Sequence, residues 1–192
     1  TLHDLSPDTH VNRYYSYNPD AVAPALNWTA ITGGAATMIA GKGYIIRAPN
    51  HYSATAYTAY TGSFNGVPNN GTVSIGVSGS ATEDKYNLLG NPYPSAISAA
   101  DFVAANVGGT NDVLDGTLYF WSHNSPFLSS PTLTYSTGDY ASWNGSGGTA
   151  TSNAGDGNST APDGYIAAGQ GFFVKGSDDG GTAVFKNTMR EK

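Results

Sequence analysis

The sequence predicts an all-β, sandwich-like domain built from two related β-motifs with one short helix. Three observations predict it. Gly (25), Thr (20), Ser (19) and Asn (16) together supply 80 of the 192 residues, while Glu occurs twice, so helix formers are scarce. Aromatic residues reach 12%, with 13 Tyr, and hydrophobic residues 39%. That is too much apolar matter for a disordered chain, and of the kind strands favour. Finally, a set of short motifs occurs twice in the same order.

The elements follow in turn. RYYSYN (13–18) reads as a strand. The Pro- and Gly-punctuated stretch 19–37 holds Trp28 and follows as irregular chain. A β-rich run, Gly43 to Ala48, is stopped by Pro49. YSATAYTAYTGSF (52–64) alternates with period two and predicts a half-buried strand. NGVPNNG (65–71) is a turn, and TVSIGV (72–77) the next strand. Loop 78–85 is the expected internal boundary, dividing the chain into 1–80 and 81–192 within one compact unit.

YNLLGNPYPS (86–95) is a short strand running into a double-proline turn. SAADFVAAN predicts a helix over 98–106, with Ser98 as N-cap, Asp101 in its first turn and Gly108-Gly109 ending it. GTLYFWSHN (116–124) is an aromatic strand. The polar, Gly-rich stretch from Ser125 to Asp163 is a long loop broken by DYASWN (139–144). Strands over 165–176 and 181–189 close the chain.

The repeated motifs pair RYYSYN with LYFWSHN, LNWTAITGGAAT with YASWNGSGGTAT, IAGKGYIIRA with IAAGQGFFVKG, and GTVSIGV with GTAVFKN. The second copy carries about 22 extra residues before its G-x-G strand, as a loop insertion. Both G-x-G segments, Gly41-Lys42-Gly43 and Gly169-Gln170-Gly171, precede strands rather than helices. They read as bulges or close backbone crossings, not phosphate cradles.

Charge and cysteine content exclude several functions. Eight scattered Lys and Arg against 14 acids, net −6, give no basic footprint for nucleic acid or an anionic membrane. Without cysteine there is no disulfide, thiolate metal site or Cys nucleophile. No run of about 18 apolar residues predicts membrane insertion.

YNLLGNPYPSAISAADFVAAN, DGTLYFWSHN, DYASWN and IAAGQGFFVKG with FKNTMR resemble a β-module of secreted and surface proteins of Bacteroidota. RYYSYNP, GKGYIIRAP and FNGVPNNGTVSIGV in the first half resemble it too. That module commonly precedes a type IX secretion sorting domain. The resemblance implies export and an extracellular or cell-surface location, and it names no activity. The sorting domain does not follow Met189, so the chain is expected to be a processed product or a fragment.

The residues offer little catalytic chemistry. Glu83 lies in a loop beside Asp84, and Glu191 is near the end. Asp112, Asp115, Asp139, Asp156, Asp163, Asp178 and Asp179 fall in Gly/Asn-rich turns, where Asp bonds its own backbone. No G-x-S-x-G elbow or zinc-spaced His pair occurs. No catalytic residue and no cofactor is therefore assigned. Calcium is the one candidate ion: the loops 153–164 and 176–181 offer Asp156, Asp163, Asp178 and Asp179, though solvated turns are the favoured reading of them.

Aromatics carry the functional signal. In LYFWSHN, alternation sends Tyr119 and Trp121 to one face and Leu118 and Phe120 to the other, so one set is core and the other a candidate platform. Trp121, Tyr119, His123 and Trp143 are the candidate ligand contacts, and polysaccharide is the expected partner, because sugar rings present apolar C–H faces to flat aromatics. The same rings could fill a core. The first expectation is thus a non-catalytic extracellular binding or adhesion module. A spacer or self-associating filament module is the second, and a fragment of a secreted hydrolase the third.

Overall fold

The computed structural model describes residues 1–23, 25–52, 58–125, 136–153 and 159–191. The fold is all-β, with one helix longer than a single turn among the described residues. A one-turn helix, α1 (Leu2–Leu5), opens the chain under a Thr1–Asp4 capping box. Strands β1 (Tyr14–Tyr17), β2 (Trp28–Ala30) and β3 (Tyr44–Ile46) form an antiparallel sheet in the order β2-β1-β3. Next come β4 (Val73–Val77), β5 (Tyr86–Gly90), β6 (Ile97–Ser98) and α2 (Ala99–Asn106). The rest is β7 (Leu114–Trp121), β8 (Tyr140–Trp143), β9 (Gly148–Thr149), β10 (Tyr165–Ile166), β11 (Gly171–Gly176) and β12 (Gly181–Phe185).

The central sheet runs β5-β11-β7-β8-β9, all antiparallel. Residues directly opposite in register share a face, so the pairing sorts the side chains. Phe172, Val174, Leu89, Leu118, Phe120, Ala141 and Trp143 fall on one face, and all are buried. That face packs on the β4–β12 ribbon and on α2. Phe172 of β11, Phe102 of α2 and Phe185 of β12 meet there, with ring centroids 4.9 to 6.4 Å apart. β4 supplies Val73, Ile75 and Val77 to the same core while Ser74 and Gly76 face water, the period-two pattern its sequence shows.

Buried asparagines do backbone work. Asn106, fully buried at the end of α2, accepts from Val184 N–H and donates to Val184 C=O and Phe102 C=O, fastening the helix to β12. Asn87 pairs both ways with the Ser78 backbone. Asn91 donates to Ser95, Ile166 and Ala167 carbonyls. Asn106 and Asn87 thereby supply the paired donor and acceptor that a neighbouring strand would otherwise provide, and Asn91 ties its turn to β10.

The first sheet joins the second at β5. Gly43 N–H donates to Leu88 C=O and Gly90 N–H to Gly41 C=O, so β5 has β11 on one side and the first G-x-G segment on the other. A Cβ on Gly43 would come 2.5 Å from the Leu88 side chain and the Leu89 carbonyl, the close crossing expected of this motif. Gly41 and Gly169 both hold positive φ (84° and 67°). Together with the β4–β12 ladder, these bonds cross the expected boundary at 80/81 and tie the two parts into one hydrogen-bonded unit.

Several elements differ from expectation. The strand read over 52–64 is not formed across 58–64, and 53–57 lie outside the described residues. Tyr52 donates instead to Ala59 C=O and Tyr60 to Leu5 C=O, so the described part is held to α1 rather than along a sheet edge. Alternation without a partner strand is only half of a strand signal. The strand over 165–176 is two, β10 and β11, separated by the turn that Gly169 makes. β2 forms in the stretch read as irregular, because Trp28 finds Tyr17 across the pair. The expected strand at 181–189 ends at Phe185 and passes into a 3-10 turn.

Backbone crossing also fixes the turn linking β11 to β12. A Cβ on Gly79 would overlap the Ser177 carbonyl and the Gly180 nitrogen. Gly79→Ala should therefore lower stability by about 1–3 kcal/mol in urea unfolding. Gly76→Ala, with open space around it and an ordinary φ, should change it by less than about 0.5 kcal/mol.

Candidate functional site

The other face of the central sheet is built from the alternate residues of the same strands. Tyr119 stands opposite Phe173 on one side and Ser142 on the other, and Ser142 opposite Thr149. Trp121 stands opposite Tyr140, and Tyr86 opposite Lys175. The three-stranded sheet covers part of this face: Tyr17 and Trp28 sit edge-on to Phe173, with centroids 5.0 and 6.0 Å away. Tyr140 also meets Phe173, edge-on at 6.0 Å. Beyond that aromatic cluster the face carries Trp121, 41% exposed.

His123 lies two residues past Trp121 with its ring nearly parallel, 18° between planes and 5.4 Å between centroids. Tyr119 is half-buried and sits edge-on to Tyr86 at 5.7 Å. Burial pushes the Tyr119 hydroxyl above its usual range, and Tyr86 and Asp115 add to the shift. The phenol is thus a neutral donor and acceptor through the physiological range. Three of the four expected contacts, Trp121, Tyr119 and His123, therefore belong to one end of one face.

Trp143 does not join them. It pairs with Leu118, faces the core and is 7% exposed. The odd separation of Trp143 from Tyr140 along β8 puts the two rings on opposite faces, which excludes Trp143 from any surface contact. Tyr86, Ser142 and Thr149 were not singled out by sequence. Only strand register brings them beside Tyr119.

The rim is held from beneath by a buried polar network. Asp139 ends a 3-10 turn (Thr137–Asp139) directly before β8 and is 1% exposed. It was expected to serve its own turn. Instead its carboxylate accepts from Ser125 Oγ and Asn153 Nδ2, each at 3.0 Å. Asn153 Nδ2 also reaches Ser136 Oγ, and buried Asn124 donates to Thr151 Oγ1 at 2.6 Å. Ser122 N–H donates to Asp139 C=O. These bonds tie together 122–125, 136–139 and 151–153, the segments that follow Trp121, precede Tyr140 and leave β9. Burial opposes ionisation of Asp139. The hydrogen bonds from Asn153, Ser125 Oγ and Ser125 N–H, with attraction to His123, outweigh it and hold the carboxyl below 3.8.

The described calcium candidates do not assemble. Asp163 accepts from Tyr165 N–H in its own turn, and Asp178 and Asp179 are exposed in the turn closed by Gly180 N–H and Ser177 C=O. Asp156 lies outside the described residues. Among the described residues no three His, Asp or Glu side chains come together in a way that could hold a metal ion, and no helix is long and apolar enough to cross a membrane.

Replacing Asp139 by Asn leaves the shape but turns one acceptor into a donor facing donors. Asp139→Asn should cost about 1–3 kcal/mol at neutral pH. A depressed carboxyl stabilises the fold fully above its ordinary value of 3.8, and that stabilisation is lost as pH falls through the lower folded value. Urea unfolding of both proteins at a series of pH values should show the gap constant above about pH 5 and closing below about pH 4.

Comparison with known proteins is brief. No curated protein and no solved structure matches the chain. A family model, described as "Domain of unknown function (DUF8693)", matches residues 1–192. The all-β chain with its aromatic outer face therefore belongs, over its whole length, to the DUF8693 family.

Proposed function

We propose that this chain is a non-catalytic, extracellular binding module that holds polysaccharide on the outer face of its central sheet. The observation that carries the reading is Trp121, 41% exposed, with the His123 ring parallel beside it and Tyr119 and Tyr140 as neighbours. The exposed part of a large ring costs hydrophobic free energy, and a pyranose ring laid on it recovers that energy through its C–H face. Tyr hydroxyls, Ser142 and Thr149 supply neutral partners for sugar hydroxyls.

The acids support a binding rather than a catalytic role. Glu83 pairs with Lys85 and Asp84 with Lys175. Asp112, Asp115 and Asp163 accept from N–H groups of neighbouring backbone. We further read the chain as a module exported by Bacteroidota to the cell surface or beyond, on its motif resemblance. We read its sandwich-like layering as two copies of one β-motif. In support, β1 pairs with β2 and β3 as β7 pairs with β8 and β11, and the last strands of the two motifs, β4 and β12, pair with each other.

Pull-down on insoluble polysaccharides and glycan-array binding test the reading. Trp121→Ala should weaken binding about tenfold or more while leaving the melting temperature within a few degrees. Trp143→Ala should instead lower stability by about 3–5 kcal/mol, as core truncation does. Binding untouched by Trp121→Ala, or concentration-dependent self-association in place of glycan binding, would favour the spacer or filament reading.

A further inference from the structure

Independently of the glycan reading, we infer that β4 pairs edge to edge with β4 of a second copy of this chain, joining two β4–β12 ribbons into one continuous antiparallel sheet. β4 has β12 on one side and no strand on the other among the described residues. In an antiparallel pair, successive residues turn their N–H and C=O alternately toward the partner and away from it. Asn106 takes both groups of Val184, so Val184 points away from β4, and so does Ser74, which stands opposite it. Gly76 and Ser78 follow Ser74 at the same parity. Asn87 takes both groups of Ser78. Those of Ser74 and Gly76 have no hydrogen-bond partner among the described residues. Gly76 is exposed, and the exposure of a glycine is that of its main chain.

The far edge of the ribbon is closed, since the side-chain amides of Asn106 and Asn111 bond β12 there. Edge strands are ordinarily guarded by charge, proline or a bulge. β4 has none of these. Its ladder with β12 runs in unbroken register, VSIGV holds no proline, and no Asp, Glu, Lys or Arg occurs between Arg47 and Glu83. A Cβ on Gly76 would meet nothing within 4 Å, so no side chain obstructs the approach there.

What fits such an edge is an extended, uncharged strand, and β4 is itself one. Set antiparallel to a second copy, with Ser74 opposite Gly76, it exchanges both N–H···O=C bonds at each of these pairs about a two-fold axis. Ile75 then meets Ile75 of the second copy in the close, non-hydrogen-bonded pair. That covers a side chain the ribbon leaves only partly buried. One short edge buries less than the roughly 1,600 Å² of a standard interface, so the pairing is weak and forms at high protein concentration.

Sedimentation equilibrium of the whole chain in about 150 mM NaCl, which screens the net charge of −6, tests this. The protein should be monomeric at about 20 µM and about half dimeric at about 1 mM. Hydrogen exchange of the Ser74 and Gly76 amides, followed by NMR, should slow in step with the dimer fraction, while exposed amides elsewhere keep their rates. Gly76→Pro removes an outward N–H without touching the ladder to β12. It should leave a monomer at the higher concentration, with the melting temperature within a few degrees. The exchange measurement needs no substitution, so it decides the matter even if that variant fails to fold. A monomer throughout, exchange at Ser74 and Gly76 that ignores concentration, a dimer that survives Gly76→Pro, or species larger than a dimer would overturn the inference. Glycan binding is read separately, through Trp121→Ala.

Discussion

Two adjacent phenylalanines set the architecture. Phe172 and Phe173 follow one another in β11, so the pleat sends them to opposite faces of the central sheet. Phe172 completes the trio with Phe102 and Phe185 that joins helix, ribbon and sheet. Phe173 receives Tyr17 and Trp28 of the first sheet on the other side. A strand buried on both faces needs apolar residues at consecutive positions, and GFFVKG provides them: Phe172, Phe173 and Val174 are all buried. Because β11 lies between β5 and β7, it also fixes the register of both neighbours, and with it which residues of β7 look outward.

The two layers are of unequal size. Three strands lie over a sheet of five and meet it at Phe173. β7 and β8 continue beyond it, so the outward residues at their ends have the sheet behind them. The inner face of the same strands is closed by Leu118, Phe120 and Trp143. One strand therefore serves both needs at once. Its even and odd positions are under different constraints, and Trp121 can be replaced at little cost to the core in a way that Phe120 cannot.

Much of this was legible in the sequence. Short strands, the helix with its Ser98 cap and the two faces of LYFWSHN all follow from local periodicity, which needs no knowledge of partners. What depended on partners was not legible. YSATAYTAY alternates as well as any strand, yet no edge accepts its described end. NWTA has no long pattern, yet Tyr17 recruits it. Asn87, Asn91 and Asn106 fall in the expected strand, turn and helix, but nothing local in the sequence shows that their side chains bond backbone distant along the chain. Asp139 read as a turn acid for the same reason, since its partners Ser125 and Asn153 are 14 residues away on either side. Trp143 was equivocal by composition and is settled by its register with Leu118.

The polar network beneath the rim explains why an exposed tryptophan can be a usable contact and not merely a loose one. A side chain that must be ordered on binding loses about 0.5–1.5 kcal/mol of conformational freedom. Here the strand end that bears Trp121 is bonded to the Asp139 carbonyl, and the Asp139 carboxylate is bonded in turn to Ser125 and Asn153. Charge-assisted bonds of this kind are stronger than neutral ones, and burial strengthens them further by removing competing water. On the proposed reading, the ordering cost is met when the chain folds rather than when a ligand arrives. A buried carboxylate is expensive to keep, and a turn residue alone would not need one. Its place beside the Trp121–His123–Tyr140 rim is what the proposed binding surface would require to be pre-organised.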